Sequence, residues 1–181
     1  MAQEKRKKKF FDVELPLVGK QTQMQAYELS ELSNRFIKYD LTRFLRGKSM
    51  MLTLKVKVGD NKATTTAKEI VLMPYFVRRM VRKGTNYVED SFSAECKDAE
   101  LRIKPLLVTR RKVSRAVRSE LRKQAKEELT NYVKTKNSED LFDEIIKNQI
   151  QKPLSMKLKK IYPLALCEIR VLESKEKKST K

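Results

Sequence analysis

Met50-Met51-Leu52-Thr53-Leu54-Lys55-Val56-Lys57-Val58-Gly59-Asp60-Asn61 is the stretch on which the fold turns. Leu52, Leu54, Val56 and Val58 alternate with Thr53, Lys55 and Lys57, the period of two that sends successive side chains to opposite faces of an extended chain. Gly59-Asp60-Asn61 is turn chemistry, and the Thr-rich residues 63 to 71 are suited to return beside the first strand. The expectation is a β-hairpin with one apolar face and one solvated face.

Downstream the period changes. Met73, Phe76, Val77, Met80 and Val81 fall on one side of a helical wheel and Arg78, Arg79, Arg82 and Lys83 on the other. A helix is expected over 73 to 83, with Pro74 in its first turn and Gly84 at its C-cap. Phe92, Ala94 and Cys96 then alternate up to a Lys97-Asp98 turn, and Leu101 and Ile103 continue past it as a second hairpin. Pro105 places that second strand at an edge or at a bulge. The longest helix is expected over 110 to 134. Asn137 or Ser138 caps another, with Glu139 and Asp140 in its first turn and Leu141, Phe142, Ile145 and Ile146 on its apolar face. Pro153 opens a short basic helix, and residues 165 to 172 read as a final strand.

Upstream, Phe10 and Phe11 are the first residues able to anchor the chain to a core, and Pro16 and Gly19 break any regular element. The pattern from Met24 to Thr42 is mixed, with Tyr27 and Leu29 alternating as a short strand would. The sum is an α+β fold, β-rich in its N-terminal part, with hairpins and a barrel-like closure as one option, helices gathered in the C-terminal half and a final strand. The expected organisation is a flexible basic tail over 1–9, a single domain over 10–173 and a flexible charged tail over 174–181.

The chain has 181 residues, 42 Lys+Arg, 23 Asp+Glu and no His, for a formal charge of +19. A charge that large on a small body repels itself unless a polyanion neutralises it. No apolar run approaches the roughly 20 residues of a membrane span, and the basic start leads straight into Phe10-Phe11-Asp12 without a signal-peptide pattern, so no membrane partner or export is expected. Cys96 and Cys167 are the only cysteines, each isolated in an apolar or alternating stretch, which suits structural roles in a reducing compartment.

The cations are arranged. On the expected helix, Arg111, Arg115, Arg118 and Arg122 share a narrow stripe, away from Val113, Val117 and Leu121. Residues 110 to 126 also carry Arg110, Lys112, Lys123 and Lys126, against Glu120 alone. A helix held by its own surface salt bridges would place acids three or four residues from each cation; this one does not, so its partner is external. Arg is the cation whose planar fork pairs two phosphate oxygens at once. Arg78, Arg79, Arg82 and Lys83 repeat the arrangement on a smaller scale, with Tyr75 among them as a candidate for stacking on an unpaired base. Lys5, Arg6, Lys7, Lys8 and Lys9 form a like-charged block that an anion can order.

Catalytic chemistry is missing. Without His the chain lacks the commonest general base and metal ligand, two distant Cys make no zinc knuckle, and no glycine-rich phosphate loop is present. Glu127-Glu128 and Glu139-Asp140 are carboxylate pairs of the kind a Mg²⁺ nuclease uses, but helix solvation and capping account for them. No catalytic residue, metal, cofactor or small-molecule substrate is expected.

Several segments together resemble the S3Ae family of small-subunit ribosomal proteins of archaea and eukaryotes. They are Phe11-Asp12-Val13-Glu14-Leu15-Pro16, Tyr39-Asp40-Leu41-Thr42, Val77-Arg78-Arg79-Met80-Val81-Arg82-Lys83-Gly84, Asp90-Ser91-Phe92, Thr109-Arg110-Arg111-Lys112 with Arg115 and Arg118, and Ile161-Tyr162-Pro163-Leu164. Their order and spacing carry the likeness, which spans most of the chain. Ala165-Leu166-Cys167 departs from it, standing where a more polar start to the last strand is expected. The lack of long basic extensions matches the archaeal form. The resemblance implies a cytoplasmic protein on the platform of the small subunit near the mRNA exit, touching rRNA, neighbouring ribosomal proteins and mRNA. A free RNA-binding chaperone or translational regulator is the alternative.

Overall fold

The computed structural model describes residues 7–45, 47–59 and 62–175. Strands β4 (Met50–Val58) and β5 (Ala63–Leu72) form the hairpin that the alternation predicts, in antiparallel register from Met50↔Leu72 to Val58↔Ala63. Asp60 and Asn61 of the expected turn lie outside the described residues. Every second residue of β4 from Met50 to Val56 is buried.

This hairpin is the centre of a nine-stranded sheet. On the far side of β4 lies β3 (Phe36–Asp40), and the free edge of β5 is divided between two neighbours. Its start pairs in parallel with β1 (Lys9–Leu15), through Val13↔Ala63 and Glu14↔Thr64, and β1 in turn pairs with β2 (Lys20–Ala26). Its end pairs antiparallel with β9 (Leu164–Lys175) through Glu69↔Glu173 to Val71↔Val171. Beyond β9 comes β8 (Glu100–Thr109), whose other edge takes β7 (Phe92–Glu95) and β6 (Tyr87–Glu89). The sheet therefore forks at β5. Among the described residues no ladder joins its ends, so it is open where a barrel-like closure was one option.

One rung shows why the sheet has two different faces. Leu52, Ile70, Leu172, Ile103 and Phe92 lie opposite one another across five strands, and all are buried. The next rung, Thr53, Glu69, Glu173, Arg102 and Ser93, points the other way and is half-buried except for the exposed Ser93. Such one-sided burial is what an antiparallel sheet covered on one face requires. Helices α2 (Arg115–Val133), α3 (Ser138–Ile146) and α4 (Gln151–Leu158) supply the cover. Leu121, Ala125 and Leu129 of α2, Leu141, Phe142, Ile145 and Ile146 of α3, and Leu154 and Leu158 of α4 share one core with the buried strand residues. A smaller cluster of Val13, Ala26, Leu32, Val56 and Ala63 fills the other arm of the fork.

Boundaries depart from the sequence pattern where long-range pairing competes with it. Helix α1 (Pro74–Met80) stops three residues early, with Val81 extended at ψ 107°. Gly84, at φ +89°, lies in a turn where the Thr85 N–H donates to Arg82 O, so it does not cap α1. The chain must leave the helix in time to pair Tyr87 with Val108. The expected helix start at 110 moves to Arg115, because β8 runs through Thr109 and Ser114 is the cap, its hydroxyl accepting from the Val117 N–H. Pro105 sits at a bulge, opposite Ile169 of β9 on one side and between the ends of the β7 and β6 ladders on the other, in a strand that is not itself an edge of the sheet. The strand expected to carry Tyr27 and Leu29 ends at Ala26. The Glu31 carboxylate accepts the Tyr27 N–H, and Leu29–Leu32 forms a 3-10 turn. Helix α4 begins two residues before Pro153. The final strand reaches Lys175 because Glu100↔Lys175 and Leu101↔Ser174 pair, which takes Ser174 and Lys175 from the expected charged tail; likewise β1 claims Lys9.

Candidate nucleic-acid interface

The basic surface is organised around one buried threonine. Thr109 closes β8 at 0% exposure. Its N–H donates to Asn86 O at 2.8 Å, its hydroxyl oxygen accepts the Asn86 N–H at 3.0 Å, and the same oxygen lies 2.7 Å from Arg111 O. Asn86 Oδ1 in turn accepts the Val113 N–H at 2.8 Å. This knot fastens the segment that leaves α1 to the segment that enters α2. Arg82 and Lys83 precede it directly on one strand of chain; Arg110, Arg111 and Lys112 follow Thr109 on the other, and all five are exposed. Two basic runs far apart in sequence thus share one anchor.

Helix α2 continues the surface. With Arg111 placed before the helix, the stripe on α2 itself is Arg115, Arg118 and Arg122 on successive turns, with Lys123 exposed beside it. The stripe borders the buried seam of Leu121 and Ala125. Arg118 is consequently half-buried, and its Nε is enclosed with no hydrogen-bond partner.

Counter-ions are elsewhere. Among the described residues, Lys48, Lys136, Lys147, Lys157 and Arg170 pair with Glu168, Glu144, Asp143, Glu128 and Glu89, respectively. The Glu144 carboxylate holds the Lys136 ammonium well above the ordinary lysine range. No such pair involves Arg78, Arg82, Lys83, Arg110, Arg111, Lys112, Arg115, Arg118, Arg122 or Lys123. On α1, Arg79 differs: it donates to Gly47 O at 3.2 Å and stacks over Phe76 at 5.3 Å, although it stays exposed. Tyr75 is 46% exposed.

Lys7, Lys8 and Lys9 are not part of this surface. Lys5 and Arg6 lie outside the described residues. Lys7 and Lys8 are exposed just ahead of β1 and Lys9 opens it, with Lys8 Nζ 5.7 Å from the Tyr27 ring centre; β5 and β9 separate β1 from β8. The acidic pairs are dispersed as well: Glu128 holds Lys157, and Glu139 and Asp140 stand exposed in the first turn of α3. Among the described residues no group of three or more His, Cys, Asp or Glu is placed to hold a metal ion. Sequence reasoning missed Asn86 and Thr109, which position the cations without carrying charge. It also missed Tyr87, 56% exposed beside them. A neutral Asn-Tyr and a strand-end Thr give no signal in one sequence.

The fold and the site define a basic α+β protein whose sheet backs a surface of aligned arginines that, among the described residues, have no ion-pair partner. Within that class the chain belongs to the Ribosomal S3Ae family, whose model matches residues 2–177. It is 32% identical over 120 residues to the small ribosomal subunit protein eS1 of Methanothermobacter thermautotrophicus, covering 64% of this chain and 62% of that one. The eS1 proteins of Nanoarchaeum equitans (31% over 124 residues, 67% and 63%) and Pyrobaculum neutrophilum (29% over 133 residues, 72% and 60%) are similar to it as well. The chain thus spans somewhat under two thirds of the length of the curated relatives it matches. The family resemblance expected from the sequence holds, and these relatives are archaeal.

Proposed function

We propose that this protein is a structural constituent of the small ribosomal subunit in the cytoplasm, where it binds rRNA and catalyses nothing itself. Membership of the S3Ae family and the identity of its archaeal relatives as small ribosomal subunit proteins support the seat. The observation that carries rRNA binding is the run of unpaired cations from Arg82 and Lys83 through Arg110–Lys112 to Arg115, Arg118 and Arg122, fixed by the Asn86–Thr109 knot. Phosphate contacts of this kind supply affinity and register, not base specificity. The half-buried face of the sheet, with Glu69, Glu173 and Arg102, is left for protein neighbours. The seat near the platform and mRNA exit, with mRNA itself as a further contact, rests on the family resemblance.

A sucrose-gradient profile of a cell extract tests the reading. The protein should sediment with small subunits in near-stoichiometric amount and stay there through a moderate salt wash. A predominantly soluble pool would instead favour a free RNA chaperone or translational regulator.

A further inference from the structure

Two large aromatic side chains, Phe44 and Tyr75, are exposed on segments that one arginine joins. Phe44 is 56% exposed at the end of a single helical turn, closed by the Phe44 and Leu45 N–H groups donating to Leu41 O at 2.9 Å each. Leu41 and Leu45 point into the core, so the turn presents Phe44 outward. Tyr75 lies one helical turn before Arg79 on α1, and residues four apart share a face. The Arg79 hydrogen bond to Gly47 O brings that face against the loop that carries Phe44, and the Met73 N–H donates to Ser49 O at 3.0 Å to hold the helix start against the same loop.

The surroundings are basic. Arg43, Arg78 and Arg82 are exposed, and no Asp or Glu occurs from residue 70 to 88. From 33 to 59 the only acid is Asp40, whose carboxylate accepts the Thr42 N–H and hydroxyl and is held below the ordinary carboxylate range by those bonds and by Arg43. Separate exposed rings on segments that also carry exposed arginines and few acids match the base faces and phosphates of a single strand of RNA.

We propose that Phe44 and Tyr75, on the loop and the helix that the Arg79–Gly47 hydrogen bond joins, form with the exposed Arg43 and Arg78 a stacking subsite for unpaired nucleotides of RNA. This rests on the RNA-binding reading and adds to it a place for single-stranded bases, distinct from the phosphate-reading stripe on α2.

The probe is a short oligoadenylate RNA carrying one 2-aminopurine, titrated against the full chain in parallel with a blunt RNA duplex. Stacking should quench the fluorophore. Phe44→Ala/Tyr75→Ala should abolish the quench and weaken oligoadenylate binding by about tenfold or more, since each base–aromatic stack is worth roughly that much, while duplex affinity stays within about twofold. Tyr75→Phe should preserve binding and Phe44→Leu/Tyr75→Leu should not, which separates ring stacking from simple apolar contact; both rings are exposed, so these variants fold. Unchanged quench and affinity in the alanine variant, with duplex binding intact, would overturn this subsite and leave the α2 reading standing. Failure of the wild-type chain to bind either RNA would overturn both.

Discussion

Lys48 is 7% exposed, with its ammonium 2.5 Å from a Glu168 oxygen and 2.8 Å from Asn148 Oδ1; the same Glu168 oxygen lies 3.4 Å from Gln151 Nε2. One buried ion pair thus joins the approach to β4, the α3–α4 turn and β9. Replacing Glu168 by Ala strands a buried charge and should cost about 3–5 kcal/mol in denaturant unfolding; a loss under about 1 kcal/mol would mean that the pair is solvated. The neighbouring Cys167 thiol is pushed up from 9.0 to about 12, by burial first and by Glu168 second. A pKa raised on folding gives stability that is present below the unfolded value and lost as pH rises toward the folded one. The unfolding free energy should therefore fall between about pH 9 and 12 by up to about 1.4 kcal/mol per pH unit more in the wild type than in Cys167→Ala. Parallel pH curves would contradict that burial. At this scale the sequence told buried from exposed on the strands it identified. It was silent on Asn86 and Thr109, because their role lies in backbone partners across the fold.

Elements were legible where periodicity and long-range pairing agree. Strand β4 and helix α3 each obey a single period and lie where the pattern puts them, whereas β5 changes phase at a bulge opposite Thr53 and Leu54. Helix α2 was read too long because Arg111 keeps helical phase with Arg115, yet residues up to Thr109 gain more as a strand beside β9 and β6. The consequence is a cap whose worth can be measured: Ser114→Ala should destabilise by about 1 kcal/mol, read from the denaturant midpoint, whereas Ser114→Asp should not. Leu121, fully buried at the base of the stripe, should cost about 2–5 kcal/mol as Ala. If Leu121→Ala were neutral, α2 would not be packed as described.

The whole molecule was the least legible, since neither the fork at β5 nor the parallel pairing of β1 leaves a local signature. Both depend on contacts between distant segments, Val13 with Ala63 and Val71 with Val171. The fork puts Lys9, which opens β1, on one arm of the sheet and the α1–α2 cations on the other. Binding of RNA phosphates by the α1–α2 cations would show in the salt dependence of affinity for small-subunit rRNA. Between about 50 and 200 mM salt the logarithm of the wild-type constant should fall linearly with log salt, and Arg115→Gln/Arg118→Gln/Arg122→Gln should make that slope shallower by about 2 to 3. Parallel lines for the two proteins would contradict it.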